Sequence, residues 1–378
     1  MWIERYYEEQ VNSFKKGKVN LLYGPRRVGK TTLINKMISK MEGKVFIGEG
    51  DDLDLRKTLS SQKKSVLLTA FAAYDTIFID EAQRIDNIGW ALKILVDNAP
   101  NKTIIASGSS SFKLSSQVGE PLTGRSITKQ LFPISLIELN KHFGGMHIIQ
   151  NLEQYLIYGM YPEVLTAPDR NTKIDYLLEL RNSYLLKDIL ETENIRNADQ
   201  LHNLLKLIAF QIGKEVSLNE LSNSLDISKH TVRRYLDLLE KAFILVRFGG
   251  FSRNLRKEIS KSSRYYFYDI GLRNALISNF NSIDTRNDIG MLWENFMVME
   301  RIKKQHYHKI YSNNYYWRTY DQKEIDLIEE RDGKLYGYEF KWNPKKQKVQ
   351  KAFLAAYPEA SVQIIHNENY FDFILTDE

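Results

Sequence analysis

The stretch VNLLYGPRRVGKTTLINKMI at residues 19–38 decides the fold of the amino-terminal part of the chain. Its segment GPRRVGKT at 24–31 fits the pattern G-x-x-x-x-G-K-[ST], and it follows an apolar run and opens a helical pattern. Glycines let a backbone wrap closely around a phosphate, and the amino terminus of a helix adds partial positive charge. The stretch therefore predicts a phosphate-binding loop between a buried strand and a helix.

The residues of this loop fit the parts of a nucleoside triphosphate and its metal. We expect Lys30 to neutralise oxygens of the β and γ phosphates and the hydroxyl of Thr31 to bind Mg²⁺. Arg26 and Arg27 either touch phosphate or stay solvated. No N-K-x-D-like run that would read guanine is visible, which favours ATP over GTP. The predicted nucleotide-binding residues of the loop are Gly24, Pro25, Arg26, Arg27, Val28, Gly29, Lys30, Thr31 and Thr32.

Two acids end the apolar run TIFIDEAQ at 76–83, about one βα unit downstream of the loop. Asp80 can hold Mg²⁺ through its water shell, and Glu81 can orient and deprotonate the attacking water. The alternative is a pair of solvated turn carboxylates. After the next apolar run comes SGSSS at 107–111, where Ser107 or Ser109 lies beside the γ-phosphate or is a plain capping serine.

The surrounding pattern predicts an α/β domain over residues 1–140. Apolar runs separated by helical stretches are typical of a buried parallel sheet. Arg125 falls between the serine loop and the last run; it is either an arginine finger acting in trans, which requires a homo-oligomer, or a surface arginine. The runs are VNLLY at 19–23, KVFIG at 44–48, TIFID at 76–80, TIIAS at 103–107 and ITKQLF at 127–132.

Length and composition bound the rest of the chain. With 378 residues it exceeds what one core usually supports, and we predict two further domains at 141–285 and 286–378. Zero cysteines exclude disulfides, thiolate zinc sites and a cysteine nucleophile. Without a long apolar stretch or an amino-terminal signal pattern, we expect a cytoplasmic protein. The net charge of +6 is compatible with a polyanionic partner but is not diagnostic.

The middle block contains VSLNELSNSLDISKHTVRRYLDLLEKAF at 216–243, which reads as helix, tight turn and helix, followed by an apolar run. Ser228 is the expected amino-terminal cap of the second helix. Its exposed face would present basic residues to DNA, with the basic segment 253–264 as a wing beside it. Packing inside the protein, or contact with other proteins, is the alternative. The basic residues of the helix are Lys229, His230, Arg233 and Arg234.

The last block has the predicted element order αβββαβ and carries a constellation of charged residues. Asp326 lies in one strand-like run, and Glu339 with Lys341 lies in the next, after a turn at Asp332 and Gly333. Two carboxylates on neighbouring strands can hold Mg²⁺ or Mn²⁺, and the lysine can stabilise charge on a phosphate under attack or activate the water. Glu294, on the preceding helix, could add a third carboxylate. A remnant binding fold and an unrelated surface are the alternatives.

These motifs together resemble a known family. GPRRVGKTT, IFIDEAQ, the SGSSS loop and LTGR followed by LFPISLIEL resemble prokaryotic AAA-type ATPases that bear a C-terminal domain of unknown function. YLIYGMYPEVL at 155–165, TVRRYLDLLE, YYFYDIGL and EIDLIEE with YEFK resemble the tail of that family, so the resemblance covers nearly the whole chain. It implies an AAA+ core, a winged-helix region and a restriction-endonuclease-like fold of the PD-(D/E)XK type.

Two functions are compatible with this resemblance. The first is an ATPase coupled to DNA binding and to metal-dependent DNA cleavage, in DNA processing or genome defence. The second is a nucleotide-gated switch or scaffold that binds protein partners and carries an inactive nuclease-like fold. The sequence alone leaves both open.

Overall fold

The computed structural model describes residues 1–10, 13–109, 121–182, 198–252, 263–319, 321–345 and 351–376. The chain divides into two compact units. The first consists of Trp2–Pro133 with Lys241–Phe243, and the second of Ile134–Glu240 and Ile244–Glu378 with Met1. The predicted domains 141–285 and 286–378 therefore share one unit, because strands from both lie in the same sheet.

The first unit contains a parallel five-stranded sheet, in the order β2-β3-β4-β1-β5. Its strands are β1 (Val19–Tyr23), β2 (Val45–Glu49), β3 (Thr76–Asp80), β4 (Thr103–Gly108) and β5 (Ser126–Gln130). Its helices are α1 (Lys30–Ile38), α2 (Leu53–Ser60), α3 (Lys64–Ala70) and α4 (Ile88–Asn98). All five predicted apolar runs form strands, which confirms the α/β core expected from the sequence.

The order of the strands brings the predicted site residues to one edge of the sheet. The central strands β3 and β4 are buried along almost their whole length, as the apolar runs indicated. The carboxyl ends of parallel strands meet at the same edge, and β4 lies between β1 and β3. The loop after β1, the acids after β3 and the serines after β4 therefore come together.

Along the sequence of the second unit, helices come before, between and after the strands. The helices are α5 (Leu136–Phe143), α6 (Gly145–Tyr158), α7 (Pro162–Thr166), α8 (Arg170–Leu180), α9 (Ala198–Phe210), α10 (Leu218–Leu225), α11 (Lys229–Lys241), α12 (Ile270–Leu276), α13 (Ile289–His308), α14 (Lys351–Ala356) and α15 (Tyr370–Leu375). The strands are β6 (Glu215–Val216), β7 (Leu245–Gly250), β8 (Ser263–Phe267), β9 (Asn313–Arg318), β10 (Glu324–Arg331), β11 (Lys334–Phe340) and β12 (Ser361–Ile365).

One seven-stranded sheet joins these strands, in the order β12-β11-β10-β9-β7-β8-β6. Strand β7 pairs antiparallel with β8 and parallel with β9, through Gly249 opposite Tyr315 and Gly250 opposite Tyr316. The strands of the middle block thus continue the strands of the last block. The sequence predicted β7 and the strands of the last block, but it predicted neither β6 and β8 nor this continuity.

The helix, turn and helix expected in the middle block are present as α10 and α11. The Ser228 side chain accepts a hydrogen bond from the backbone N–H of Thr231 at 3.1 Å, as expected for a cap. The predicted basic side chains of α11 are all exposed: Lys229, His230, Arg233 and Arg234. Residues 253–262 of the predicted basic wing lie outside the described residues, whereas Arg264 belongs to β8.

The last block follows the predicted order, with α13, β9, β10, β11, α14 and β12. The turn between β10 and β11 has positive φ at both Asp332 (50°) and Gly333 (74°), as a tight hairpin requires. Leu327 pairs with Tyr338, which places the neighbouring Asp326 and Glu339 side by side on one face. Among the described residues, no helix has the length and apolar character needed to cross a membrane.

Candidate functional site

The loop after β1 has a backbone that only glycine allows at its first position. Gly24 has φ of 152°, and a Cβ placed there would lie 2.0 Å from the carbonyl oxygen of Leu131. Gly29, which caps α1, has φ of 89°. Both predicted glycine positions are therefore required by the geometry of the turn. The loop leads directly into α1, where Thr31 and Thr32 are exposed and Val28 before them is buried.

Lys30 lies within the curve of this loop. Its Nζ donates hydrogen bonds to the carbonyl oxygens of Gly24 (3.0 Å) and Pro25 (2.8 Å). Burial lowers the pKa of Lys30 to about 8, although Glu81 and Asp80 act in the opposite direction. A buried amine whose hydrogen-bond partners among the described residues are backbone carbonyls is suited to gain a negatively charged partner.

Asp80 at the end of β3 meets the loop through Thr31. The hydroxyl of Thr31 donates to Asp80 Oδ2 at 2.5 Å. The other carboxylate oxygen, Oδ1, accepts from the hydroxyl of Ser107 and, at 3.0 Å, from the backbone N–H of Glu81. Two residues that are 49 positions apart in sequence are thus in direct contact, as the parallel sheet predicted.

Glu81 follows Asp80 in a left-handed conformation, with φ of 47°. Its Oε2 accepts hydrogen bonds from the hydroxyl of Ser109 at 3.0 Å and from the side-chain amide of Gln83. Gln83 also donates to Ser109 at 3.1 Å, and Arg26 Nε donates to Ser109 at 3.4 Å. Ser109 is therefore a partner of the predicted catalytic acid and links it to the loop. The sequence offered Ser109 as a candidate but did not single out Gln83.

Arg5 supports the loop from outside the motif, and sequence reasoning missed it. Its guanidinium is buried and donates to the carbonyl oxygens of Val28 (2.5 Å) and Phe132 (2.6 Å). The first contact holds the backbone of the phosphate loop, and the second holds the chain just after β5. Arg5 is one charged residue in a charged amino-terminal stretch, so no local pattern marked it.

Arg125 lies at the opposite edge of the sheet from the loop. Its carbonyl oxygen accepts a hydrogen bond from the backbone N–H of Val19 at the start of β1. The loop follows the other end of this five-residue strand, about 16 Å away along the strand. Its side chain pairs with Asp97 at 2.6 Å. Arg125 therefore does not take part in the site of its own chain, and its role in trans stays a prediction.

A second candidate site lies on the β10–β11 hairpin. Lys341 Nζ is 3.7 Å from Asp326 Oδ2 and 3.7 Å from Glu339 Oε2. Asp326 also accepts a hydrogen bond from the backbone N–H of Phe340 at 2.9 Å. Burial raises the pKa of Glu339 to about 7, against the effect of Lys341. The three residues predicted as a nuclease-like constellation are thus brought together.

Glu294 has other partners than those expected of a third metal ligand. Its Oε1 accepts a hydrogen bond from the hydroxyl of Tyr266 at 2.8 Å and lies 3.6 Å from Arg264 Nη1. Burial, with the nearby charge of Asp326, raises the pKa of Glu294 to about 8. In the part of the chain that the structure describes, no three His, Asp or Glu side chains have the geometry of a ready metal site. The expected ligand set of Glu294, Asp326 and Glu339 is therefore not preformed.

Three family models match consecutive stretches of the chain. Residues 16–140 match an AAA domain, residues 149–283 match a domain of unknown function (DUF8612), and residues 289–375 match another domain of unknown function (DUF4143). The AAA match contains the loop, both acids and Ser109.

Several known proteins are similar to this chain. An uncharacterised protein of Mycobacterium tuberculosis is 28% identical over 333 residues, which cover 85% of this chain and 70% of that protein. An uncharacterised protein of Methanocaldococcus jannaschii is 23% identical over 390 residues, which cover 96% of this chain and 85% of that protein. A Walker-type ATPase of Pyrococcus abyssi shares the fold, with a TM-score of 0.51 and 16% identity. The match covers 73% of this chain and 96% of that protein. Together with the loop and the parallel sheet, these matches support a P-loop ATPase of the AAA type.

Proposed function

We propose that the chain hydrolyses ATP at the edge of the five-stranded sheet. The contact that carries this proposal is the 2.5 Å hydrogen bond between Thr31 and Asp80, the two residues expected to hold Mg²⁺. Glu81 follows directly and is fixed by Ser109 and Gln83. The general base, the metal ligands and the phosphate loop therefore adjoin one another.

The residues of the loop fit a magnesium-bound triphosphate. The turn at Gly24 has no room for a Cβ, and the buried amine of Lys30 has only backbone carbonyls as hydrogen-bond partners among the described residues. Bound Mg²⁺ would neutralise phosphate charge, held by the Thr31 hydroxyl and the Asp80 carboxylate. Lys30 binds and orients the triphosphate. Glu81 accepts the proton of the attacking water, and the donors on its Oε2 set the direction of its carboxylate.

Binding and turnover of the full chain separate these roles. We expect Lys30→Ala to weaken ATP binding at least tenfold, which corresponds to ~1.4 kcal/mol. Glu81→Gln should bind ATP but lose turnover by a factor of about 10² or more. Glu49→Gln, an exposed residue at the end of the neighbouring strand β2, is the matched control and should behave like the wild type. Unchanged turnover in Glu81→Gln would show that the base is assigned wrongly.

We also propose a metal-dependent DNA-cleaving site at Asp326, Glu339 and Lys341, coupled to the ATPase. The observation that favours it is Glu339, whose side chain is only 3% exposed and whose Oε1 has no hydrogen-bond partner in the described structure. A buried carboxylate oxygen without a donor is costly, and a cation would satisfy it. The exposed basic face of α11 is the surface that we propose to contact the phosphates of DNA.

Incubation of DNA with the protein, ATP and either Mg²⁺ or Mn²⁺ tests this second proposal. We expect cleavage by the wild type, none by Asp326→Ala or Lys341→Ala, and normal cleavage by Lys334→Ala, an exposed lysine on the same hairpin. Cleavage that persists in both site variants would point to a contaminating nuclease. Absence of cleavage by the wild type with either metal would favour the nucleotide-gated scaffold that binds protein partners.

Arg125 and the oligomeric state form one further test. An arginine finger in trans requires neighbouring subunits, so the mass in solution should rise when ATP is added, and Arg125→Ala should slow hydrolysis without weakening ATP binding. A monomer under both conditions would leave Arg125 as a surface residue paired with Asp97.

A further inference from the structure

Arg264 on β8 lies within the carboxylate cluster of the second candidate site. Its side chain is 3% exposed. The guanidinium Nη1 is 3.6 Å from Glu294 Oε1 and 3.6 Å from Asp326 Oδ1, and Nη2 donates to Glu324 Oε2 at 2.5 Å. One arginine therefore balances three carboxylates that come from α13 and β10.

The two cations of the cluster contact different oxygens of Asp326. Arg264 lies against Oδ1, together with Glu294, and Lys341 lies against Oδ2, together with Glu339. Asp326 thus separates a Glu294 side from a Glu339 side. On the Glu339 side, Oε1 of that residue has no hydrogen-bond partner in the described structure. On the Glu294 side, Oε1 already accepts from a tyrosine and faces the guanidinium.

The position of Arg264 is well fixed. The guanidinium lies 4.7 Å from the centre of the Tyr316 ring, and β8 pairs with both β7 and β6 in the sheet. A guanidinium stays charged at every accessible pH and is rigid and planar, so it cannot leave the cluster by losing a proton. Carboxylates this close to one another repel unless a cation lies between them.

We propose that Arg264 is an internal counter-ion that occupies the Glu294 side of the cluster and competes there with a divalent cation. Among the described residues of the cluster, the cation position that remains lies between Asp326 Oδ2 and Glu339, beside Lys341. This inference rests on the proposed metal binding at the hairpin. It accounts for the lack of a preformed three-carboxylate site in the described residues, because the arginine takes the place that a cation shared by Glu294 and Asp326 would need.

Binding of Mn²⁺ to the full chain, without nucleotide, tests this competition independently of cleavage. Electron paramagnetic resonance of free Mn²⁺ gives the affinity and the number of bound ions. We expect Arg264→Met to bind Mn²⁺ at least tenfold more tightly, which corresponds to ~1.4 kcal/mol, or to bind one ion more than the wild type. The double variant Arg264→Met with Glu294→Gln should lose this gain, because the gained cation depends on Glu294.

Arg318→Met is the matched control. Arg318 is also paired with carboxylates of this sheet, at 3.0 Å from Glu215 and 4.0 Å from Glu324. Among the described contacts it has none with Asp326 or Glu294, so its removal should leave Mn²⁺ binding unchanged. If Arg264→Met does not fold, as judged by circular dichroism, Arg264→Lys replaces it; a lysine cannot span the same carboxylates, and a smaller gain is expected.

The outcomes separate this inference from the proposed cleavage. If the wild type binds Mn²⁺ and a folded Arg264 variant binds it equally well, the counter-ion role is overturned and the cleavage proposal stays intact. If the wild type does not bind Mn²⁺ but the Arg264 variant does, and this binding requires Glu294, the counter-ion role is supported and the cleavage proposal is overturned. The counter-ion role is also overturned if the double variant keeps the gain in Mn²⁺ binding, or if no variant binds Mn²⁺.

Discussion

Replacement of Arg5 by methionine is expected to destabilise the first unit and to weaken its nucleotide site together. Methionine fills much of the volume of the arginine stem but leaves the carbonyl oxygens of Val28 and Phe132 without their buried donors. A hydrogen bond to a charged group contributes about 1.5–3 kcal/mol. Loss of both bonds should therefore lower the free energy of unfolding by roughly 3–6 kcal/mol.

Val28 belongs to the phosphate loop, so a loosened backbone should also raise the Kd for ATP. Urea unfolding followed by circular dichroism measures the first effect, and the analysis allows one transition for each of the two compact units. Titration with a fluorescent ATP analogue measures the second. Arg125→Met, which removes a partly exposed arginine from the same unit, is the control and should change neither quantity noticeably. An Arg5→Met protein with wild-type stability and affinity would refute the structural role of Arg5.

Two further predictions follow from buried groups. Gly24→Ala should abolish ATP binding, measured by the same titration, because the new Cβ would lie 2.0 Å from the Leu131 carbonyl oxygen; wild-type affinity would contradict this. Burial alone would raise the pKa of Asp288, but hydrogen bonds from Arg286 and Arg273 lower it to about 2. Because the folded pKa is depressed, this stabilisation is complete above about pH 4 and disappears as the pH falls towards 2. Asp288→Asn should lower the free energy of unfolding by roughly 2 kcal/mol at pH 6, and the difference from the wild type should shrink at pH 2.

The geometry of the candidate nucleotide site was largely predictable from sequence because its parts obey local rules. The loop has a fixed pattern, and the acids end an apolar run, so a parallel sheet must bring them to one edge. Arg5 and Gln83 were not predictable. Arg5 bonds backbone carbonyls of two distant segments, and Gln83 bonds the nearby Glu81 as well as Ser109 after the next strand. A single arginine or glutamine carries no pattern that identifies such partners.

The second unit was predictable in most of its elements but not in its connections. Alternating residues and the Asp332–Gly333 turn indicated the hairpin that joins Asp326 and Glu339. The approach of Arg264 to Glu294 had no such signal, because it depends on how β8 and α13 pack in three dimensions. Glu294 was therefore expected to be a metal ligand, whereas the structure places an arginine beside it.

The pairing of β7 with β9 sets a limit on how this protein can be dissected in the laboratory. A recombinant fragment that stops at residue 285, or one that starts at residue 286, would retain only one of these two strands. Each fragment would then expose an unpaired strand edge, which readily associates with other chains. Because the sheet is continuous, residues 134–378 are the fragment to express when a shorter protein is needed. Truncation between the two family matches, which end at 283 and begin at 289, would divide the sheet.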